Sequence, residues 1–297
     1  MDTHAERRGV IERRITRTFT PAPAAPGFIG PGHTAVEVLA PDSLAASDPF
    51  VLLMDDRLDL GPVQPIGGAH PHAGLETVTL ILEGTLHDRD EGALSAGDAV
   101  WMTAGRGIIH NEHVEVGGRA RVLQLWVRLS AEDRALAPRF EVIPGASVPV
   151  RREAGVVARL YSGATGALRS PTTNRVPVTL VDVALEPGAR FEQALPASYN
   201  GFLYVLEGTV EVGGSALARE QVGWLGPLRT PGESTLRIVA GEAGARVVLY
   251  AGEPQREPLV HHGPFVAGSR AEIVELFRRF RAGEFVPMST LSPSPRP

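Results

Sequence analysis

Leu80-Ile-Leu-Glu-Gly-Thr-Leu86, in the first half of this 297-residue chain, reappears in the second half as Tyr204-Val-Leu-Glu-Gly-Thr-Val210. Each copy is a short apolar run that ends in Leu-Glu-Gly, a pattern typical of a strand entering a hairpin. The two copies start at residues 80 and 204, so they are 124 residues apart. The repeat predicts one β structure built twice, as two related β-barrels with a boundary near Pro138 to Pro144.

The rest of the chain also favours an all-β fold. Short alternating apolar runs are separated by turns, and the chain carries 33 glycines and 25 prolines. We predict an N-terminal barrel at residues 1–137, a C-terminal barrel with a terminal helix at 138–287, and a disordered tail at 288–297.

The predicted helix begins after Ser269, which forms a capping box with Glu272. Its apolar face is expected to carry Ile273, Leu276, Phe277 and Phe280, which follow the i, i+3, i+4, i+7 spacing. Gly283 stands just beyond as a stop signal. The sequence therefore predicts a short amphipathic helix over residues 270–281.

The composition excludes several classes of function. The net charge is −5 and the pI about 6.0, which disfavours direct nucleic-acid binding and binding to anionic membranes. There is no cysteine, so disulfides and thiolate chemistry are excluded, and no lysine, which excludes a Schiff base. No apolar run approaches 18 residues and no signal peptide is recognisable. We expect a cytoplasmic, monomeric protein.

Two short motifs indicate a metal site. His70 and His72 are two residues apart, and so are His110 and Glu112. Residues i and i+2 of a strand face the same side. Two such strands facing each other inside a barrel would bring three imidazoles and one carboxylate to one point. That donor set suits a divalent first-row transition metal, and with open coordination positions it suits iron(II).

The second copy of the repeat does not carry these side chains. The 124-residue offset takes the four positions to Ala194, Pro196, Ser234 and Leu236. Histidines that only stabilised the barrel would be expected in both copies. We therefore predict one metal per chain, in the N-terminal barrel.

Several stretches of the chain resemble the pirin family. The most specific is Trp101-Met-Thr-Ala-Gly-Arg-Gly-Ile-Ile-His110-Asn-Glu112, and the match also covers 70–78, 82–84, 97–98, 123–127, 257–260, 263–266 and 280–285. The resemblance implies a bicupin, that is, two cupin-type barrels in tandem, with an iron site in the N-terminal barrel and a metal-free C-terminal barrel.

Carried over residue by residue, the resemblance assigns the metal ligands to His70, His72, His110 and Glu112. Glu76 corresponds to a ligand of many other cupins, and we expect it here in the pocket wall behind the ligands. The hairpin His87-Asp-Arg-Asp-Glu-Gly92 departs from the family pattern and is interpreted as a surface turn. His33 shows no pattern of its own.

The resemblance further implies a quercetin 2,3-dioxygenase, which cleaves a flavonol-type aromatic substrate with O2. Glu112 and Glu76 are the candidate general bases for the substrate hydroxyl. Fe2+ is the expected metal, and other divalent first-row metals are alternatives. Metal binding is expected to weaken below about pH 6, where exposed imidazoles take up protons.

Two other functions remain open at this point. The first is an iron-binding, redox-sensitive regulator that binds a protein partner without catalysis. The second is an isomerase or a plain metal-binding cupin.

Overall fold

The computed structural model describes residues 11–40, 44–59, 66–112, 114–116 and 119–294, with backbone only at 114–116. The first half contains the strands β1 (Ile11–Glu12), β2 (Arg17–Phe19), β3 (Ala25–Pro26), β4 (His33–Leu39), β5 (Phe50–Asp59), β6 (Ala69–His72), β7 (Leu75–Glu83), β8 (Thr85–Asp88), β9 (Gly92–Ser95), β10 (Ala99–Thr103), β11 (Ile108–Asn111), β12 (Val114–Val116), β13 (Arg119–Arg128) and β14 (Arg139–Ile143), and the short helix α1 (Leu44–Ser47).

The second half contains the strands β15 (Val150–Glu153), β16 (Val156–Ser162), β17 (Ala164–Thr165), β18 (Leu168–Arg169), β19 (Val178–Leu185), β20 (Arg190–Pro196), β21 (Asn200–Val212), β22 (Ser215–Ala218), β23 (Val222–Trp224), β24 (Glu233–Gly252), β25 (Val260–His262), β26 (Phe265–Ala267) and β27 (Val286–Pro287), and the helix α2 (Arg270–Arg281).

These strands form two β-barrels in tandem, which confirms the predicted all-β bicupin. The N-terminal barrel contains a seven-stranded sheet in the order β14-β10-β7-β13-β5-β4-β3 and two three-stranded sheets, β27-β11-β6 and β12-β8-β9. The C-terminal barrel is a ten-stranded sheet whose main path is β15-β16-β19-β24-β21-β23-β2. Side chains alternate between the two faces of each strand, so that in β20 Phe191, Gln193 and Leu195 are buried while their neighbours are exposed.

The repeated Leu-Glu-Gly motif occupies the same place in both barrels. Gly84 follows β7 with φ +78°, and Gly208 lies in β21 with φ +70°. A Cβ at Gly84 would come within 2.1 Å of the Arg119 carbonyl oxygen, and one at Gly208 within 2.0 Å of the Gly244 oxygen. Both the positive φ and the close approach of a neighbouring backbone require glycine. The repeat in the sequence therefore marks one recurrent backbone constraint.

The largest hydrophobic core lies between the two barrels. It contains Leu53 and Trp101 from the N-terminal sheet and Phe202, Tyr204 and Tyr250 from the C-terminal sheet. Two tyrosines of the C-terminal barrel extend through this core and donate hydrogen bonds to acceptors in the N-terminal barrel. The Tyr204 hydroxyl donates to Asp55 Oδ2 at 2.9 Å, and the Tyr161 hydroxyl donates to the Gly97 carbonyl at 2.9 Å.

The pairing of the strands does not follow the predicted linear division at residues 137 and 138. Strands β1 and β2, near the start of the chain, pair with β24 and β23 of the C-terminal sheet. Strand β14 lies beyond residue 137 but pairs with β10 of the N-terminal sheet. Strand β27, near the end of the chain, pairs with β11. Each barrel is therefore completed by strands from the opposite end of the chain.

Of the tail predicted to be disordered over 288–297, the structure describes residues 288–294. Met288 is buried at 1% exposure, and the Ser294 amide donates to the Phe140 carbonyl oxygen at 2.7 Å. This segment packs on the N-terminal barrel because β27 has already carried the chain there. Residues 1–10 and 295–297 lie outside the described residues.

Helix α2 confirms the predicted helix and its cap. The Ser269 hydroxyl accepts the Glu272 amide hydrogen at 3.3 Å and donates to the Glu272 carboxylate at 3.0 Å. Ile273 is buried, and the remaining predicted apolar residues pack around Phe265 and Phe285. No helix in the described part of the chain has the length and apolar character needed to cross a membrane.

Candidate metal centre

Two paired strands position the three histidines. Strands β6 and β11 are antiparallel neighbours, with His70 directly opposite His110 and His72 opposite Ile108. His70 and His72 are two residues apart on β6, so both side chains face the same side as His110. The structure thus brings together the three imidazoles that the sequence motifs singled out.

The three imidazoles converge through their Nε2 atoms. His110 Nε2 lies 2.9 Å from His70 Nε2 and 3.1 Å from His72 Nε2. Two nitrogens bound cis to a first-row metal at about 2.1 Å would be about 3.0 Å apart. Within the described residues this trio is the one cluster whose spacing suits a metal ion. The residues present therefore fit a divalent first-row metal that uses three imidazole ligands.

The outer nitrogens of the rings are directed away from this point. His70 Nδ1 is 3.2 Å from the Gly68 carbonyl oxygen, which assigns its hydrogen to Nδ1 and leaves a lone pair on Nε2. His110 Nδ1 faces the Glu91 carboxylate, with Oε1 at 3.9 Å. The hydrogen bond to Gly68 therefore orients the His70 imidazole for ligation.

Glu112 lies beside the triad. Its Oε2 is 3.7 Å from His70 Nε2 and its Oε1 is 3.8 Å from His110 Nε2. The side chain is 21% exposed and lines the adjoining cavity. A carboxylate at this distance needs only a small side-chain adjustment to reach a metal held by the imidazoles.

Burial changes the protonation of all four groups. Burial lowers the pKa of His72 to about 3, with the nearby His70 imidazole lowering it further and the Pro264 carbonyl acting in the opposite sense. Burial also lowers the pKa of His70, and lowers that of His110 well below its usual range. Burial raises the pKa of Glu112 to about 8, with repulsion from Asp88 and Asp56 adding to it. The imidazoles are therefore held neutral, as metal ligands must be.

A cavity of about 730 Å³, measured to its mouth, opens beside the triad. Strand alternation builds its walls. From β5 it takes Leu52, Met54, Asp56 and Leu58, and from β13 Val122, Gln124 and Trp126.

Two polar residues of the walls have clear partners. Gln124, an amide within an apolar run, accepts a hydrogen bond from the Thr79 hydroxyl at 2.7 Å. Trp126 packs edge-on against His72, with ring centroids 5.0 Å apart. Trp126 thus shields one side of the triad, and the Thr79 contact satisfies the buried amide oxygen of Gln124.

The expectation for Glu76 needs correction. Its carboxylate is fully buried, accepts from the Thr103 hydroxyl at 2.7 Å and from the Arg175 and Val176 amides at 3.1 and 3.3 Å, and does not line the cavity. Gly74 separates β6 from β7 with φ +78°, and this break ends the alternation that linked Glu76 to His72. Glu76 therefore joins the two barrels instead of serving as a general base.

The hairpin at residues 87–92 is more than a surface turn. Asp88 and Glu91 both line the cavity, and Asp88 is 3% exposed. Its departure from the family pattern was the only signal in the sequence that this segment is special. The cavity also contains His33 and Asp56, which form a hydrogen bond of 2.7 Å and which no sequence pattern indicated.

The corresponding region of the C-terminal barrel is apolar. In the sheet, Leu195 lies opposite Ser234 and Gln193 lies opposite Leu236. The 124-residue offset would place Ala194 opposite Ser234, so the observed pairing is shifted by one residue. Phe191, Leu195, Leu236 and Ile238 belong to a single buried cluster. Ser234 donates to the Leu195 carbonyl and accepts from Arg13. These side chains fill the interior of the second barrel.

Comparisons with known proteins agree with this architecture. Residues 36–127 match the family model described as Pirin, and residues 180–286 match the Pirin C-terminal cupin domain. A pirin-like protein of Solanum lycopersicum is 33% identical over 251 residues, covering 80% of this chain and 81% of its own. A pirin-like protein of Caulobacter vibrioides is 36% identical over 267 residues, covering 86% of this chain and 94% of its own.

A solved structure is also similar over most of its length. The quercetin 2,3-dioxygenase from Acinetobacter baumannii superposes with a TM-score of 0.81 at 27% identity, covering 92% of this chain and 98% of that one. Two barrels, the family matches in both halves and the extent of these alignments lead to one conclusion. This chain is a member of the pirin family, with the bicupin fold of that family.

Proposed function

We propose that this protein is an iron-dependent dioxygenase that cleaves a flavonol-type substrate with O2. The observation that supports this most is the triad of convergent, neutral imidazoles beside Glu112, with His70, His72 and Glu112 lining a cavity. The similarity to the Acinetobacter quercetin 2,3-dioxygenase supports the same substrate class. Iron(II), when bound, supplies the redox chemistry by which dioxygen reacts with an electron-rich aromatic ring.

In this proposal His70, His72 and His110 hold the metal, and Glu112 completes the set. Glu112 also takes the proton from the substrate hydroxyl, because its carboxylate reaches both the triad and the cavity. Trp126 and the apolar walls exclude water and bind the aromatic rings.

The proposal is tested by dioxygen uptake. The metal-free protein is loaded with Fe2+ under anaerobic conditions, and uptake is recorded with and without quercetin. We expect uptake that depends on quercetin and equals the amount of quercetin consumed. His110→Ala should lose metal and uptake together. His87→Ala, an exposed histidine outside the cavity lining, should lose neither.

Glu112→Gln separates binding from chemistry. It keeps the shape of the side chain but removes the negative charge and the base, so we expect turnover to fall by about 10²-fold or more, with a smaller loss of metal.

Absence of uptake with quercetin and related flavonols in the fully loaded protein would reject the dioxygenase. A protein partner that binds in only one oxidation state of the iron would then favour the regulator.

A further inference from the structure

A second histidine–carboxylate pair borders the same cavity as the triad. His33 Nε2 lies 2.7 Å from Asp56 Oδ1, and His33 is 3% exposed. The two residues lie on neighbouring strands, where β4 pairs with β5 and His33 stands opposite Leu58. Both side chains line the cavity.

The orientation of the His33 ring is fixed. The Ile29 amide donates to His33 Nδ1 at 3.4 Å, which leaves the hydrogen of a neutral ring on Nε2, directed at Asp56. Gly27 packs against the ring, and a Cβ there would come within 1.9 Å of His33 Nδ1. Neither ring nitrogen is thus left for a ligand, and His33 serves to hold Asp56.

Asp56 retains one oxygen for another partner. Oδ1 accepts from His33, whereas Oδ2 has no hydrogen bond within the described part of the chain. The side chain is 17% exposed and lies on the same face of β5 as Met54 and Leu58, which also line the cavity. As far as the described residues are concerned, Oδ2 is therefore left as an acceptor for a molecule in the cavity.

This acceptor is separate from the metal triad but within reach of the same ligand. Glu112 and Glu91 each have a carboxylate oxygen within 4.0 Å of a triad imidazole. Asp56 has no such contact with the triad within the described part of the chain. The Phe28 ring lies 6.0 Å from the His33 ring and 6.2 Å from the His70 ring, between centroids. Phe28, the His33–Asp56 pair and His70 therefore border the same cavity, where one aromatic ligand has access to all of them.

The charges of the cavity limit the ligands it can accept. Its described lining includes the carboxyl groups of Asp56, Asp88, Glu91 and Glu112 and no arginine. A neutral ligand with hydroxyl donors finds several acceptors there, whereas an anionic ligand finds no guanidinium partner within the described lining.

We propose that Asp56, held in place by His33, accepts a hydrogen bond from a ring hydroxyl of the substrate remote from the metal, and so selects hydroxylated flavonols. Asp56 is thus a specificity-determining residue. The inference rests on the proposed function for the substrate class, but it concerns recognition and can be measured without turnover.

The test uses two flavonols that differ in the pendant ring. Quercetin carries two hydroxyls there and galangin carries none. Binding of each to the iron-loaded protein is measured by anaerobic fluorescence titration. A hydrogen bond to a charged acceptor predicts that the wild type binds quercetin about 10- to 100-fold more tightly than galangin.

Asp56→Asn reverses the polarity of the group. The N–H at His33 Nε2 is expected to donate to the carbonyl oxygen of the new side chain. The amide NH2 then faces the cavity and offers a donor in place of the acceptor. We expect the preference for quercetin to disappear in this variant. The matched control is Asp59→Asn, at the exposed end of the same strand, which should keep the wild-type preference.

The outcomes separate this inference from the proposed activity. A wild type that binds both flavonols equally, or binds neither, overturns the role of Asp56 whether or not the variant folds. An Asp56→Asn protein that retains the full preference overturns it as well. Selective binding without any dioxygen uptake supports the role of Asp56 and rejects the dioxygenase.

Discussion

Glu112 differs from the three histidines in the pH range over which it gives up its proton. Burial raises the pKa of Glu112 to about 8 and lowers that of His72 to about 3. A metal that uses the Glu112 carboxylate must displace a proton at any pH below about 8, whereas burial shifts proton uptake by the imidazoles to lower pH. The sequence-based expectation of loss below about pH 6 assumed exposed histidines and stays a prediction, and the burial of these groups adds the prediction of a dependence set by Glu112.

We therefore predict that, as the pH rises towards about 8, metal affinity increases about tenfold per pH unit and levels off above that, because one proton is released. Competition with a chromophoric chelator at a series of pH values measures this. The slope should vanish in Glu112→Gln. A slope that survives in that variant, or one corresponding to two or three protons near pH 6, would assign the dependence to the histidines.

Glu76 should matter for stability and not for the metal. Glu76→Gln places an amide NH2 among the Thr103 hydroxyl and the Arg175 and Val176 amides, which all donate to the present carboxylate. We predict a loss of about 1–3 kcal/mol in the free energy of unfolding, measured by urea titration, with unchanged metal content. Glu83→Gln, at the exposed end of the same strand, is the control. Loss of metal at full stability would contradict this and would indicate that Glu76 acts on the metal centre.

Among the secondary-structure elements, the N-terminal segment is fastened to the opposite barrel by one side chain. Arg13 follows β1, is 1% exposed and donates to Ser234 Oγ at 2.7 Å. Its guanidinium also donates to four backbone carbonyls, those of Pro196, Ala197, Tyr199 and Gly226. Burial lowers the pKa of Arg13 to about 10, so it stays charged at neutral pH.

Removal of that side chain should release the segment. We predict that Arg13→Ala costs about 2–4 kcal/mol of unfolding free energy, because it leaves several buried acceptors without a donor. Arg14→Ala, the exposed neighbour, should cost little. Urea unfolding of both variants gives the comparison, and equal stabilities would show that the segment is held by its strand pairing alone.

For the whole molecule, the shared core makes the two barrels one unit. Asp55 is fully buried between them, and Arg121 binds both of its oxygens at 2.8 and 2.7 Å. Burial alone would raise the pKa of Asp55, but the hydrogen bonds and charge of Arg121 and the Tyr204 hydroxyl bring it below the usual value. Tyr204 therefore donates to a carboxylate, while Tyr161 donates to a neutral carbonyl.

The two tyrosines should differ in what they contribute. We predict that Tyr204→Phe costs about 1.5–3 kcal/mol and Tyr161→Phe about 0.5–1.5 kcal/mol, because hydrogen bonds to charged acceptors are stronger. Urea unfolding followed by circular dichroism should show one transition in each variant. Two separate transitions in the wild type would mean that the barrels unfold independently, and the reverse order of the two costs would refute the assignment of the charge.

The features that could be predicted from the sequence are those set by short-range periodicity. Strand alternation placed His70 and His72 on one face, the capping box and apolar spacing located α2, and Leu-Glu-Gly marked the same hairpin in both barrels. The resemblance to pirins supplied the family. Each of these depends on residues that are close together in the chain.

The features that could not be predicted depend on contacts between distant residues. One left-handed residue, Gly74, ended the alternation and placed Glu76 between the barrels. His33 meets Asp56 only because β4 pairs with β5 in one register, which places the two side chains on the cavity wall. The two ends of the chain pair with strands of the opposite barrels, more than 170 residues away, as between Ile11 and Ser234. Periodicity within a short segment does not indicate such a distant partner. Periodicity in a sequence fixes which face a side chain takes, but the partner across that face is fixed only when the sheets close.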